Sequence, residues 1–377
     1  FSSIDLFLER KISITELENY IKMSPRISIQ DLLDIYGEER SKKIFDDNFD
    51  KNINDYLLVN NNYYNIINNI SAINTSLIEE TLSTILNFQN KDLNAKQLNE
   101  TIENSIYQLE IKINKAKEDY NLINRKNFSN FADGRYEYFL IKVENHINFL
   151  LDENINQKKS IYEILNYLNE NPQVDLTNII GKLYFSSTLN EVENTKYLIE
   201  SQKNNIVSSN SVVINISNIT SEIYQIYINY LEFIIDSYDY EIDYIGLFYL
   251  PVSRKNNSVF KNLDFEFETA KNNLIEYEEY MLNILNKFRN NKKILEIYSK
   301  MNNNLSKQLE LLNLLLNQTE NLHSKYPFIS DYSDYSNFFE DFLILGNNIN
   351  ELLNKISLVQ EDQRILAFEY SEEMSSL

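Results

Sequence analysis

Hydrophobic residues recur every three or four positions over most of this chain, with polar residues between them. The clearest run is Ile102, Ile106, Leu109, Ile113, Ala116, Tyr120 and Ile123. Similar stripes follow at Leu274, Tyr277, Met281, Ile284 and Phe288, at Leu295, Tyr298, Met301, Leu305, Leu309 and Leu312, and at Ile349, Leu352, Ile356 and Val359. This spacing places each set on one narrow helical face and is typical of coiled-coil seams. We therefore predict an all-α fold.

Turn residues divide the pattern into long helical stretches. We expect helix over about 52 to 129, from Gly134 to the Asn171-Pro172 pair, over about 188 to 205, over most of 262 to 326, and over about 334 to 374. Glycine adopts turn conformations without steric cost, and the connection at Ala132–Gly134 is short. Helices joined this closely pack antiparallel. The predicted architecture is an elongated antiparallel bundle of coiled-coil-like helices.

The first fifty residues differ from the rest and predict a small cap of short helices. Ser13-Ile-Thr-Glu16 has the spacing of a capping box, which marks a helix start. Pro25 and Gly37 follow at close intervals and favour helix ends. We expect these helices to remain short.

The centre of the chain predicts an irregular or β-prone segment. No charged residue occurs between Lys203 and Glu222, and residues 206–219 are rich in β-branched residues and serine. Such a composition favours a strand over a helix. An aromatic helix is expected next, followed by a break at Gly246 and Pro251 and a small basic loop at 254–258.

These changes of pattern suggest four sections. They are an N-terminal cap at 1–50, a first long-helix section at 51–205, a central uncharged and aromatic section with a loop at 206–261, and a second long-helix section at 262–377 that packs on the first.

Charge and composition narrow the possible partners. The chain of 377 residues has 35 basic and 56 acidic residues, a net charge of -21, and no cysteine. This excess of acidic residues disfavours the binding of nucleic acids and anionic lipids, because proteins bind both through lysine and arginine side chains. No run of eighteen apolar residues occurs, so we expect no transmembrane helix. Composition does not distinguish a cytoplasmic from a secreted protein.

Candidate catalytic residues are few. The only histidines are His146 and His323, and no nucleotide-binding or hydrolase motif surrounds the five glycines. Glu320 and His323 have the Glu-x-x-His spacing of a bundle metal site, but this is one half-site of the two required. An enzyme that uses this pair or an unrecognised carboxylate pair is a minor alternative. We expect no cofactor and no metal.

The sequence therefore favours a non-enzymatic interaction protein, such as a scaffold, tether or assembly subunit, with protein partners or self-assembly. The candidate interaction residues lie in the central section and are Val213, Ile214, Ile216, Ile219, Tyr227, Tyr230, Tyr244 and Phe248. The alternative is a secreted α-helical pore-forming toxin component, in which residues 204–221 form a stored membrane-interacting tongue. Membrane contact is expected only under that alternative.

Overall fold

The structure is a computed structural model, and it describes residues 62–63, 65–89, 94–123, 134–171, 176–203, 211–240, 244–285 and 292–375. The cap predicted at 1–50 lies outside these ranges. Within them the regular structure is helical and contains no strand. The prediction of an all-α fold is confirmed for this part of the chain.

Long helices follow one another along the described sequence. They are α1 (Asn65–Gln89), α2 (Ala95–Asn121), α3 (Gly134–Glu170), α4 (Thr177–Lys203), α5 (Ser211–Ser237), α6 (Ile245–Leu285), α7 (Lys292–Lys325) and α8 (Tyr332–Ser375). The stripe on α2 is buried from Ile102 to Ala116, as its spacing predicts. The stripe on α8 is buried from Ile349 to Val359.

The helices form two compact units. The first, called here the α1–α4 unit, holds α1 to α4 and the C-terminal part of α5 from Ile228. The second, called the α6–α8 unit, holds the N-terminal part of α5 up to Tyr227 together with α6, α7 and α8. The four predicted sections remain a prediction.

In the α1–α4 unit, α1 packs against α2, α3 and α4. Helix α2 begins at Asn94, whose side chain accepts a hydrogen bond from the Gln97 amide while the Gln97 side chain accepts one from the Asn94 amide. This reciprocal capping box satisfies two amides that the helix leaves free. Helices α2 and α3 run antiparallel, since Glu110 pairs with Lys158 and the earlier Asn99 pairs with the later Asn169.

In the α6–α8 unit, α7 packs along α8, and α6 packs on α7. Helices α7 and α8 are also antiparallel. Lys325, at the end of α7, pairs with Asp341 near the start of α8, whereas Gln308 contacts the more distant Gln360. The short connection between α7 and α8 therefore lies at one end of this unit.

The predicted β-prone centre is wrong for the residues that the structure describes, because 211–221 form the first part of α5. Residues 204–210 lie outside the described ranges. The buried side chains on this part of α5 step at helical spacing, and they are Val212, Val213, Ile216, Ile219, Ile223 and Ile226. Strand preference is weak and yields to the burial of an apolar helical face.

The predicted break at Gly246 and Pro251, with its basic loop, is also wrong. Helix α6 runs from Ile245 through Pro251 and through residues 254–258. Proline removes one backbone donor, and Pro251 lies only two turns from the helix start. Tyr249 and Ile245 are buried beside it and stabilise the helical conformation.

Two other helix boundaries differ from the sequence prediction. The stretch expected as one helix over 52–129 contains a new helix start at Asn94 in its described part. Helix α4 begins at Thr177, well before the capping-type Thr188. The side chain of Thr188 instead donates to the Tyr184 carbonyl oxygen one turn earlier, so this residue lies inside the helix.

Candidate functional site

One end of the α6–α8 unit exposes large apolar side chains. We call this surface the apolar end and define it as Tyr244, Leu247, Phe248 and Leu250 at the start of α6, with Phe328 and Tyr332 from the connection between α7 and α8. The exposed fraction is 68% for Leu247, 54% for Phe328 and 61% for Tyr332. Clusters of exposed apolar residues on this scale mark interaction sites more often than isolated ones do.

Gly246 brings the two halves of the apolar end together. A Cβ atom at this position would overlap the carbonyl oxygen of Ile329 and would lie 3.6 Å from the ring of Phe328. The first turn of α6 therefore rests directly on the backbone of the α7–α8 connection. One turn later, the Tyr249 hydroxyl donates to the Tyr326 carbonyl oxygen at 2.5 Å. Both contacts fix the connection against α6.

A buried aromatic cluster supports the apolar end from inside the unit. The Phe338 ring contacts Tyr249 and Tyr326 edge-on, with centroids 5.5 and 5.6 Å apart respectively. Phe338 also stacks on Phe342 at 6.1 Å, and Phe342 stacks on Tyr227 of α5 at 5.1 Å. Aromatic pairs at these separations contribute about 0.5 to 1.5 kcal/mol each beyond their area burial. The exposed surface therefore stands on a well-packed base.

Charges of opposite sign flank the apolar end. Between positions 244 and 263 the only charged residues are Arg254, Lys255 and Lys261, all basic. At the start of α8, the Asp331 carboxylate accepts from the Asp334 amide at 2.8 Å, and the Asp334 carboxylate accepts from the Ser330 hydroxyl at 2.7 Å. The two carboxylates cap α8 and give that side of the apolar end a negative charge.

The predicted interaction residues are distributed between the interior and this surface. Val213, Ile216, Ile219 and Tyr230 are buried. Ile214 and Tyr227 are half-buried, and Tyr244 and Phe248 are exposed. A role in interaction remains a prediction for the whole set. Only Tyr244 and Phe248 belong to the apolar end.

Comparison with known protein families, with curated proteins and with solved structures found no match for this chain.

Four members of the apolar end were missed by sequence reasoning, namely Leu247, Leu250, Phe328 and Tyr332. Leu247 and Phe248 follow Tyr244 by three and four positions, so a helical reading of 244–251 would have placed all three on one face. No sequence signal joins Phe328 to them, because that contact depends on the approach of a segment about eighty positions away.

His146, one of the two candidate catalytic histidines, is fully buried in the α1–α4 unit. Its Nε2 atom lies 3.0 Å from the Asn194 side-chain oxygen, its ring stacks on Tyr197, and its buried Nδ1 atom has no hydrogen-bond partner. Burial lowers the pKa of His146 to about 4, although Asn194 and Glu200 oppose the shift. The imidazole is therefore neutral at pH 7 and has no contact with solvent.

His323, the second histidine, lies on α7 in the α6–α8 unit. Its Nε2 atom is 2.6 Å from the Asn257 side-chain oxygen, and its ring packs against Phe260. Burial raises the pKa of Glu320, and Asp264 raises it further. Over the described ranges, no three histidine, aspartate or glutamate side chains are grouped as metal ligands would be.

A cluster of carboxylates lies in the α1–α4 unit, where Glu193 of α4 faces Glu153 of α3 and Glu232 of α5. Burial, helped by the two neighbouring carboxylates and opposed by Lys196, raises the pKa of Glu193 to about 8. Burial also raises the pKa of Glu153, with Asp152 and Glu232 contributing. Glu193 therefore carries a proton at neutral pH, and its ionisation at higher pH would add a negative charge beside two other carboxylates and destabilise the unit.

None of the helices in the described ranges is both long enough and apolar enough to cross a lipid bilayer.

Proposed function

We propose that this chain is a non-enzymatic α-helical interaction protein, such as a scaffold, tether or assembly subunit, and that the apolar end is its binding surface. The proposal includes the finer architecture expected from the sequence, an elongated antiparallel bundle of coiled-coil-like helices. Its long apolar seams serve to build the helical units, and its exposed apolar residues serve to bind.

The exposure of the apolar end is the observation that carries this proposal. Six large apolar side chains, each exposed by a third or more, share one end of the α6–α8 unit. Exposing them costs roughly 25 cal/mol per Å² relative to burying them. A surface of this cost, held rigidly by Gly246 and the aromatic cluster, fits a site that a partner covers. Tyrosine and phenylalanine are also enriched at the centres of protein interfaces.

The pore-forming alternative remains a prediction. The described part of its tongue, 211–221, forms a helix whose apolar side chains are largely buried. Leakage of dye from phosphatidylcholine–phosphatidylserine vesicles would support this alternative, and intact vesicles at neutral and mildly acidic pH would contradict it.

Phe265 offers a matched control for the apolar end. It lies on the same helix, and its exposed fraction is 69%, against 68% for Leu247. Its neighbours at helical spacing are all polar, namely Lys261, Asn262, Glu268 and Thr269. It therefore presents a similar apolar side chain without apolar neighbours on its own helical face.

The proposal is tested by incorporating a photo-crosslinking amino acid at position 247 or at position 265 of the full chain in its native cells. We expect discrete crosslinked products from position 247 and few or none from position 265. Equal yields from the two positions, or no product from position 247, would contradict the proposal. The mass of the product distinguishes a second copy of the chain from another protein.

A further inference from the structure

We propose that the apolar end binds a second copy of this chain, so that two apolar ends face each other across a two-fold axis. This inference rests on the proposed function and specifies its partner. It draws on three properties of the surface, which are its area, the arrangement of its flanking charges and its rigidity.

The area of the apolar end suits a dimer interface. Large apolar and aromatic side chains present roughly 200 Å² each, so six that are about half exposed offer on the order of 600 Å² per copy. A standard protein interface buries about 800 Å² per partner. The flanking polar residues supply the remainder as the rim of the interface. The apolar end is also as large as the largest apolar patches found on monomeric proteins, about 300 to 600 Å².

The charges that flank the apolar end can pair with the charges that flank the same surface on a second copy. In a two-fold dimer, a residue of one copy that contacts a second residue of its partner is matched by the reverse contact. Arg254 and Lys255 follow the apolar end along α6, whereas Asp331 and Asp334 flank it at the start of α8 and Asp243 precedes Tyr244 in the sequence. A two-fold arrangement can therefore place the basic side of each copy against the acidic side of the other.

The net charge of -21 opposes the approach of two copies. At physiological ionic strength, however, the Debye length is about 8 Å, so charges far from the contact are screened. The charges that act on the association are then mainly those near the contact. The contacts of Gly246 and Tyr249 hold this surface in one conformation, which reduces the entropy lost on binding.

Sedimentation velocity of the full chain over a range of about 0.1 to 100 µM measures the association. We expect a concentration-dependent monomer–dimer equilibrium for the wild-type chain. Leu247→Ser should weaken the dimer by roughly tenfold or more, as expected when a leucine side chain that becomes fully buried is replaced by a polar one. Phe265→Ser should leave the equilibrium unchanged. Far-UV circular dichroism checks that both variants retain their helical content.

The charge arrangement has its own test. Arg254→Gln with Lys255→Gln removes the basic side, and Asp331→Asn with Asp334→Asn removes the acidic side while retaining side-chain oxygens for the α8 cap. Each double variant should weaken the dimer, and the dissociation constant of either should depend less on salt than that of the wild type. A dimer that is unaffected by Leu247→Ser, or a chain that stays monomeric throughout the range, overturns the inference.

The two proposals fail in distinguishable ways. If the chain is monomeric but position 247 crosslinks to a different protein, self-association is refuted and the proposed interaction function stands. If the chain is monomeric and position 247 gives no crosslinked product, both proposals are refuted. Both proposals are supported if two results are found together. The wild-type sequence gives a crosslinked product at twice the mass of the chain, and a crosslinker placed at another position of the apolar end no longer gives this product in the Leu247→Ser variant.

Discussion

Replacing Glu193 by glutamine should stabilise the chain in a pH-dependent manner. The substitution keeps the shape and hydrogen-bonding capacity of the side chain but removes its ionisation. The folded structure raises the pKa of Glu193 from 4.5 to about 8, first through burial and then through Glu153 and Glu232. Because the folded state holds this proton more tightly than the unfolded state, the contribution of Glu193 to stability is fully present below pH 4.5. It is lost as the pH rises through 8.

The size of the effect follows from the pKa. One pKa unit corresponds to about 1.36 kcal/mol, so the interval from 4.5 to 7 corresponds to about 3 kcal/mol. Glu193 keeps some contact with solvent, which reduces the effect, and we expect about 2 to 3 kcal/mol at pH 7. The Glu193→Gln variant should therefore be more stable than the wild type at pH 7 and above. At pH 4 the two should be nearly equal.

Urea unfolding followed by far-UV circular dichroism at pH 4, 7 and 8.5 measures this difference. The control is Glu163→Gln on α3, where the carboxylate is exposed. A Glu193→Gln variant that is less stable than the wild type at pH 8.5, or whose stability differs from it equally at pH 4 and pH 8.5, would refute the electrostatic explanation.

Three further predictions concern packing and buried polar groups. Gly246→Ala should destabilise the chain by about 2 kcal/mol, because overlap with the Ile329 carbonyl exceeds the gain of about 1 kcal/mol in helix propensity; a higher midpoint of thermal unfolding would contradict this. The wild-type chain should lose stability as the pH falls from 6.5 to 4, since burial lowers the pKa of His146 to about 4. The His146→Leu variant should lack this loss. Identical pH profiles of the two proteins in urea unfolding would exclude this explanation. Asn74→Ala should cost about 2 to 3 kcal/mol, because the buried Asn74 amide donates to the Leu150 carbonyl oxygen at 3.0 Å; an unchanged unfolding midpoint in urea would show that this bond is dispensable.

Periodicity was sufficient to predict an all-helical fold and the buried faces of two helices, but not the first part of α5, the start of α6 or the start of α4. The stripe from Ile102 to Ala116 and the stripe from Ile349 to Val359 are buried as their spacing indicates. Such stripes are informative because a helix that buries one face must repeat apolar residues at its own period. The composition of 211–221 led to the wrong prediction of a strand. Its β-branched residues also step at helical spacing, and tertiary burial decides between the two conformations.

The candidate site was predictable only in part. Tyr244 and Phe248 belong to the densest apolar stretch of the sequence, which drew attention to them. Because glycine often marks a turn, a helix break was predicted at Gly246. Tyr244, Leu247 and Phe248 were therefore not recognised as residues of one helical face. Here Gly246 permits a close approach by the backbone at Ile329. That approach joins segments some eighty positions apart, and local spacing carries no information about it.

The central claim is that the apolar end is covered by a partner when the protein acts. Carbene footprinting of the unmodified chain tests it most directly, by comparing the labelling of side chains in dilute buffer with labelling in the native extract. We expect Tyr244, Leu247, Phe328 and Tyr332 to become protected in the extract and Phe265 to be labelled equally in both conditions. Equal labelling of the apolar end in the two conditions would contradict this claim.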